Sequence, residues 1–468
     1  MKASDSAAAN AAFASLPLAP ATLDNLAQLG YTAMTAIQAA SLPLSLAGQD
    51  VIAQASTGSG KTVAFGLPLV DKLDPTVWQA QALVLCPTRE LADQVTAEIR
   101  KLARAVGNIK VVTLCGGVAL RGQTLSLAHG AHVVVGTPGR ILDHLERGSL
   151  SVDAVRTLVL DEADRMLDMG FFDDIATVTR RCPAQRQTLL FSATYPEGIA
   201  QLAAQFMRQP HTVKVQAQHD AGKIRQVFVE VTDTGRLHAV SQVLNHFRPE
   251  STLAFCNTKQ QCRDLVAVLQ AQGFSALALY GELEQRERDQ VLVQFANHSC
   301  SVLVATDVAA RGIDIDQLAC VINVDVTPDP EVHVHRIGRT GRGDAEGLAV
   351  TLASLDEMGS VGRIEQLQGR ESCWTPLTDF TATSTLPLRA PMATLQIVGG
   401  RKEKIRPGDV LGALTGEAGF AKEQIGKISV NEFSTYVAVD RGIARAAVDR
   451  LSAGRIKGRS VKVRLVSS

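Results

Sequence analysis

Eight residues, Ala55-Ser56-Thr57-Gly58-Ser59-Gly60-Lys61-Thr62, stand between a short apolar run and a helix-like stretch. Glycines at this spacing let successive backbone N–H groups curl around a phosphate, Lys61 reaches the β- and γ-phosphates, and the Thr62 hydroxyl is placed to ligate Mg²⁺. The loop keeps the form G-x-x-x-x-G-K-[ST] except that Ala55 takes the first position. Further along, Thr157-Leu158-Val159-Leu160-Asp161-Glu162-Ala163-Asp164 sets three carboxylates directly after another apolar run. Negative charge at the mouth of a core is costly unless something neutralises it. Beside a bound triphosphate a metal does so: Asp161 is placed to hold Mg²⁺ and Glu162 to orient the attacking water, as in phosphoryl-transfer sites. Asp164 can also stabilise the start of the following helix through its dipole.

These groups lie far apart in sequence, so the fold has to bring strand ends together. Apolar runs recur as VIAQAS (51–56), ALVLCP (82–87), KVVTLC (110–115), HVVVGT (132–137), TLVLD (157–161) and TLLFSAT (188–194), with helix-like stretches between them. Strands buried on both faces and alternating with helices predict a parallel α/β sheet. The pattern restarts with TLAFCN (252–257), FSALALYG (274–281), CSVLVAT (300–306), ACVINVD (319–325) and GLAVTLA (347–353), which predicts a second sheet of the same kind. The polar stretch between the two sets places a first domain over 1–210, a linker over 211–226 and a second domain over 227–370. A Ser-, Thr- and Pro-rich second linker follows over 371–392. Residues 393–468 read strand-helix-strand-strand-helix-strand, the split βαβ order of the small α+β RNA-recognition-motif folds. Of the aromatics expected on its central strands, Tyr436 alone is present.

Net charge is zero over 468 residues, with 47 Lys+Arg against 47 Asp+Glu. The balance is uneven: 14 basic against 7 acidic residues from Ala393 onward leave 33 against 40 before it. A basic end domain on an acidic body is the electrostatic footprint of a polyanion-binding module. The eight cysteines contain no C-x-x-C pair and mostly sit in apolar runs, the pattern of reduced, buried thiols in a cytoplasmic protein. The N-terminus lacks a signal-peptide core, and no run approaches the ~18 apolar residues of a membrane span.

Asp161-Glu162-Ala163-Asp164 spells the signature of the DEAD-box RNA helicases, and the chain resembles that family in the order of its other motifs. The resemblance implies two tandem RecA-like domains, ATP and Mg²⁺ as cofactors, RNA as partner, and a monomer. Gly30-Tyr31 through Gln38, with Phe13 upstream, is similar to the adenine-reading Q motif: Gln38 pairs with the base and Tyr31 stacks, although Met34-Thr35-Ala36 replaces the usual Pro-Thr-Pro. Pro87-Thr88-Arg89, Gly116-Gly117 and Thr137-Pro138-Gly139-Arg140 resemble segments that grip one RNA strand through its phosphates. Ser192-Ala193-Thr194 resembles the motif that couples the ATP and RNA sites, a role that the resemblance extends to Asp164 and His335. In the second domain Asn257, Arg288 and Thr306 resemble RNA-gripping positions and Asp314 a nucleotide contact. His335-Arg336-Ile337-Gly338-Arg339-Thr340-Gly341-Arg342 resembles the last motif, whose second and third arginines, Arg339 and Arg342, act as arginine fingers. The implied mechanism is a split active site that RNA closes, so that ATP turnover is RNA-stimulated and closure peels a short duplex apart.

Such a core reads sugar and phosphate, so the choice of RNA falls to the basic end domain. Arg401, Lys402, Lys404 and Arg406 crowd its first loop, and Lys457 lies in the Arg455–Arg459 cluster near its end. With IRPGDVLGALTG (405–416) and GKISV (426–430), the whole chain is similar to the DbpA subfamily of bacterial DEAD-box proteins. That implies a hairpin of large-subunit (23S) ribosomal RNA as target during 50S assembly. Three alternatives stay open: a DNA-translocating helicase of the same superfamily, an RNA-binding factor with a vestigial ATPase, and a DEAD-box remodeller without hairpin specificity.

Overall fold

Alternation decides the first sheet. Its strands are β1 (Val51–Gln54), β2 (Ala82–Leu85), β3 (Val111–Leu114), β4 (Val133–Gly136), β5 (Thr157–Leu160), β6 (Gln187–Ser192) and β7 (His211–Lys214). Val51, Ala53, Val84, Val159, Leu189 and Phe191 join one apolar layer, while Ile52, Leu83, Leu85, Leu158, Leu160 and Leu190 join the other. A period of two with both faces apolar is satisfied only between two layers of helices. The helices Ala36–Leu46, Lys61–Asp71 and Arg89–Leu102 cover the first face, and Pro138–Glu146, Phe172–Arg181 and Glu197–Phe206 the second. All strands run parallel, in the order β3-β4-β2-β5-β6-β1-β7. The computed structural model describes residues 12–55, 58–195, 197–215, 223–310, 318–341, 346–384 and 388–466.

The second sheet repeats the plan with β8 (Ile224–Glu230), β9 (Thr252–Cys256), β10 (Ala276–Leu279), β11 (Val302–Thr306), β12 (Cys320–Asn323) and β13 (Gly347–Ala353), parallel in the order β10-β11-β9-β12-β13-β8. The third sheet is antiparallel: β14 (Met392–Val398), β15 (Ile425–Val430), β16 (Ser434–Asp440) and β17 (Val463–Leu465), ordered β15-β16-β14-β17. Helices Pro407–Gly412 and Ala444–Ala453 complete the expected split βαβ unit. The chain divides into two compact units, the first holding the first sheet and the second holding the other two.

Both predicted linkers contain structure. Residues 211–214 form β7, paired with β1, and 224–226 open β8. The edge strand β7 is largely exposed, so its sequence His-Thr-Val-Lys carries no apolar run to betray it. The Ser/Thr/Pro-rich segment is a strap on the second domain. Phe228 exchanges backbone hydrogen bonds with Cys373 and Thr375, and Phe380 is buried against Phe247 and His246. Seven of the eight thiols are buried and Cys373 is exposed. No helix among the described residues is long and apolar enough to cross a membrane.

Candidate functional site

Strand order explains why distant motifs meet. The phosphate loop follows β1, Asp161 and Glu162 follow β5, and Ser192 ends β6; β5, β6 and β1 are neighbours in the sheet. The carboxyl ends of parallel strands form the crevice where α/β sheets bind ligands. The helix that follows this loop begins at Lys61, preceded by Gly60 at φ 90°. A Cβ there would lie 2.5 Å from Gln38 Nε2, so the close approach of the two loops requires glycine. Gln38 is buried and fully engaged: Nε2 donates to the Gly60 carbonyl (3.1 Å) and Oε1 accepts from the Thr35 N–H (2.9 Å). The amide expected to pair with a base thus ties its own loop to the phosphate loop. Tyr31 is half-buried, and its hydroxyl donates to Glu98; burial first, then that carboxylate, raise its pKa well above the usual value. Phe13 is buried in the first apolar layer.

Lys61 is buried with Nζ donating to the Ala55 carbonyl (3.1 Å). Asp161 is also buried, and its Oδ1 has no hydrogen-bond partner. Burial pushes the Asp161 carboxyl up to about 7, with Lys61 opposing and Glu162 adding to the rise. An orphaned buried carboxylate oxygen within electrostatic reach of Lys61, with a hydroxyl, Thr62, in the first turn of the lysine's helix, is a donor set of the kind that would suit a divalent cation. Glu162 sits at φ 50°, ψ 50°, a left-handed conformation unusual for a side chain of this size. Strain of this kind clusters at functional sites. Its carboxylate is held by Arg165 Nη1 at 2.8 Å, both side chains being buried.

Asp164 links the end of β5 to the end of β6. Its Oδ2 accepts from the Ala193 N–H (3.1 Å), the Thr194 N–H (2.9 Å) and the Thr194 hydroxyl (2.9 Å), while its own N–H donates to Ser192 Oγ (3.3 Å). Burial works to raise the Asp164 pKa, but the Thr194 N–H, Lys61, the Thr194 hydroxyl and Arg165 outweigh it and hold the carboxyl below its ordinary value. A fully satisfied buried carboxylate fixes these two strand ends as one piece.

The expected strand-gripping segments of the first domain follow β2, β3 and β4, side by side in the other half of the sheet. Thr88 caps the helix after β2 by accepting from the Leu91 N–H (3.3 Å), with Pro87 buried beside it. Arg89 is partly exposed and paired with Asp93 at 3.6 Å. Arg140 Nη1 reaches back to the Val118 carbonyl (3.1 Å) and Gln123 Oε1 (3.2 Å), so the exposed Gly116-Gly117 loop is tied to the helix that Thr137, Pro138 and Gly139 begin. Gln123 also bonds the Cys115 carbonyl (2.7 Å) and buried His144 (3.0 Å).

Three family models match in sequence: DEAD/DEAH box helicase over residues 35–202, helicase conserved C-terminal domain over 235–344, and DbpA RNA binding domain over 394–465. The chain is 51% identical over 450 residues to the ATP-dependent RNA helicase DbpA of Escherichia coli, covering 96% of this chain and 98% of that protein. The chain belongs to the DbpA subfamily of DEAD-box RNA helicases. It is an ATP-dependent RNA helicase. A DEAD-box helicase of Geobacillus kaustophilus, CshA, is 43% identical over 77% of each chain. The structure of Saccharomyces cerevisiae Dbp5 bound to RNA and ADP BeF3 matches with a TM-score of 0.72 and 30% identity, over 79% of this chain and 96% of that one.

In the second unit of this helicase, Asn257 follows β9, Thr306 ends β11 and Asp325 follows β12, again adjacent strands. One arginine binds them together. Arg336 is 2% exposed; its guanidinium forks onto Asp307 (2.7 and 2.6 Å) and reaches the Asp325 carbonyl (2.8 Å) and Asn257 Oδ1 (3.2 Å). Arg339 is buried at the end of the helix Pro330–Ile337, and His335 is half-buried within it. Arg288 lies in the first turn of Gln285–Ala296. Ser56, Thr57, Asp314 and Arg342 lie outside the described residues, while Gly58 is exposed and Ser59 half-exposed in the phosphate loop.

In the end domain Arg401, Lys402, Lys404, Arg406 and Lys457 are all exposed. Lys457 Nζ donates to the Lys404 carbonyl (2.7 Å), joining the two basic clusters. Sequence reasoning assigned no role to Arg165, Gln123 or Arg336. Arg165 directly follows the DEAD tetrad and Arg336 is the first arginine of the last motif, but their partners are set by the fold and leave no spacing signal.

Proposed function

We propose that this helicase couples RNA-stimulated ATP hydrolysis to local unwinding of ribosomal RNA duplexes, and that its end domain directs it to a hairpin of large-subunit (23S) rRNA during 50S assembly. The observation that carries the reading is the union of two basic clusters by Lys457 and Lys404 on a domain of the DbpA RNA-binding type. Lys61 and Thr62 bind the triphosphate, with Asp161 Oδ1 and Thr62 as the protein's Mg²⁺ ligands. Bound Mg²⁺ neutralises charge on the β- and γ-phosphates. Glu162 orients the water, and the shared hydrogen bonds of Asp164, Ser192 and Thr194 pass strain between the phosphate and RNA halves of the sheet edge. Arg339 and Arg342 complete the site as arginine fingers, a contribution of about 10³–10⁵ in rate. The active species is a monomer working in the cytoplasm.

The test is the ATPase rate of the full chain against 23S rRNA fragments with and without the hairpin. We expect preferential activation by the hairpin fragment, lost on combined charge reversal of Lys402, Lys404 and Arg406. Equal activation by every RNA before and after the change refutes the targeting.

A further inference from the structure

The central strands of the end-domain sheet, β14 and β16, are closed on the face opposite its helices. Leu395, Ile397, Val437 and Val439 pack into the domain core, so Thr394, Gln396, Tyr436 and Ala438 point the other way, and all four are buried. Thr394 Oγ1 meets Ser299 Oγ at 2.7 Å and accepts from Asn297 Nδ2 at 3.2 Å, both on the second domain. Tyr436 bonds Gln396 (3.1 Å), which also accepts from Arg464 (2.8 Å). Among the described residues, no ring on that face is open to a base.

Phe433 is the one exposed aromatic among the described residues of this domain, 59% exposed at the tip of the β15–β16 hairpin. A single exposed apolar side chain is ordinary on a protein surface. This one sits on a hairpin tip that backbone hydrogen bonds join to the basic loop. Gly399 N–H donates to the Phe433 carbonyl (3.0 Å), Arg401 N–H to Asn431 (2.8 Å) and Lys402 N–H to Glu432 (3.1 Å), zipping the basic loop to the hairpin tip. A Cβ on Gly400 would lie 2.2 Å from the Asn431 carbonyl, so the contact depends on glycine. Lys402 Nζ stands 4.1 Å from the Phe433 ring centroid and 3.1 Å from Glu432 Oε1.

We propose that Phe433 is a stacking platform for one unpaired RNA nucleobase, with Lys402 and Arg401 on the flanking phosphates. A flat ring beside fixed positive charge is complementary to a base beside its phosphate. The proposal deepens the reading of the end domain as the RNA-selecting module and rests on it.

The test uses the full chain and a labelled RNA hairpin with an unpaired loop, alongside versions carrying an abasic site at each loop position in turn. Phe433→Ala is expected to weaken binding about 5–100-fold, as for loss of one base stack. Phe433→Trp keeps affinity. One abasic RNA binds the parent and Phe433→Ala equally, because the stack is already gone. The salt dependence of binding is unchanged in Phe433→Ala and falls in Lys402→Ala, which removes a phosphate contact. If Arg401 and Lys404 charge reversal weakens binding while Phe433→Ala stays within twofold of the parent on every RNA, the platform is refuted and the RNA-selecting role stands. If charge reversal also leaves binding unchanged, both fall.

Discussion

Asp161 is a buried acid whose pKa is set by the fold, and this makes the resting helicase sensitive to pH. Burial raises the carboxyl from 3.8 to about 7. Folding therefore favours the protonated form: the favourable contribution is complete below the unfolded value and is lost as pH rises through 7. At 1.36 kcal/mol per unit, the raised pKa lowers the stability of the nucleotide-free fold, relative to acid pH, by about 4 kcal/mol at pH 8, where Asp161 is ionised in the fold, and by about 1.5 kcal/mol at pH 5, where only the unfolded chain ionises. Asp161→Asn removes the titration. Losing the attraction to Lys61 works in the opposite direction but is the smaller effect, since burial is the dominant cause of the shift. The variant should gain about 2–3 kcal/mol relative to the parent between pH 5 and 8, and at about 2–4 °C per kcal/mol its melting advantage should widen by about 5–10 °C. Calorimetric melting of both proteins without nucleotide, across that range, reads the difference directly. Binding of Mg·ATP should also release a proton near pH 6.5, seen as a buffer-dependent heat in the parent and absent in the variant. Parallel melting curves with no buffer dependence would refute the assignment of Asp161 as a buried, metal-ready carboxylate.

Two further outcomes follow from neighbouring side chains. Glu162→Gln keeps the size of the side chain and a hydrogen-bond acceptor for Arg165, so it should bind ATP and RNA normally while turnover falls about 10²–10⁴-fold; a phosphate-release assay beside ATP-binding measurements checks it. Arg336→Lys cannot reproduce the fork onto Asp307 together with the contacts to Asn257 and Asp325, so the second domain should lose about 3–5 kcal/mol and RNA affinity should fall; unchanged melting and binding would show that the hub carries no weight.

The placement of the candidate residues was readable because each belongs to a local pattern at a strand end. Lys61, Thr62, Asp161 and Glu162 each follow a strand, and parallel sheets bring strand ends to one edge whatever the intervening sequence. What escaped was long-range pairing. The β7 strand is polar because it lies at an edge, and the strap around Phe380 resembles a linker because only a few of its side chains are buried. Gln38 shows the same limit: its sequence context marks a base reader, while the fold gives both ends of its amide to backbone partners.

The end domain carries this point furthest. Its strand order and basic loops were legible, and the missing aromatics hinted that the sheet would not stack bases. The reason is visible only in three dimensions, where Thr394 occupies that face with hydrogen bonds to Asn297 and Ser299. Arg441 reinforces the contact, donating to the carbonyls of Ala390 (2.6 Å), Met392 (3.0 Å) and Ser299 (3.4 Å). A guanidinium serving three carbonyls resists local opening, since each would otherwise lose its partner in a partly buried seam. Asn257 and Thr306 belong to the same compact unit as the end domain, so under the proposed function RNA taken up by that domain lies at an offset from them that this contact sets. On that reading the end domain needs no flexible tether to present RNA to the second domain, and its proposed selectivity lies in the loops beyond the closed central strands.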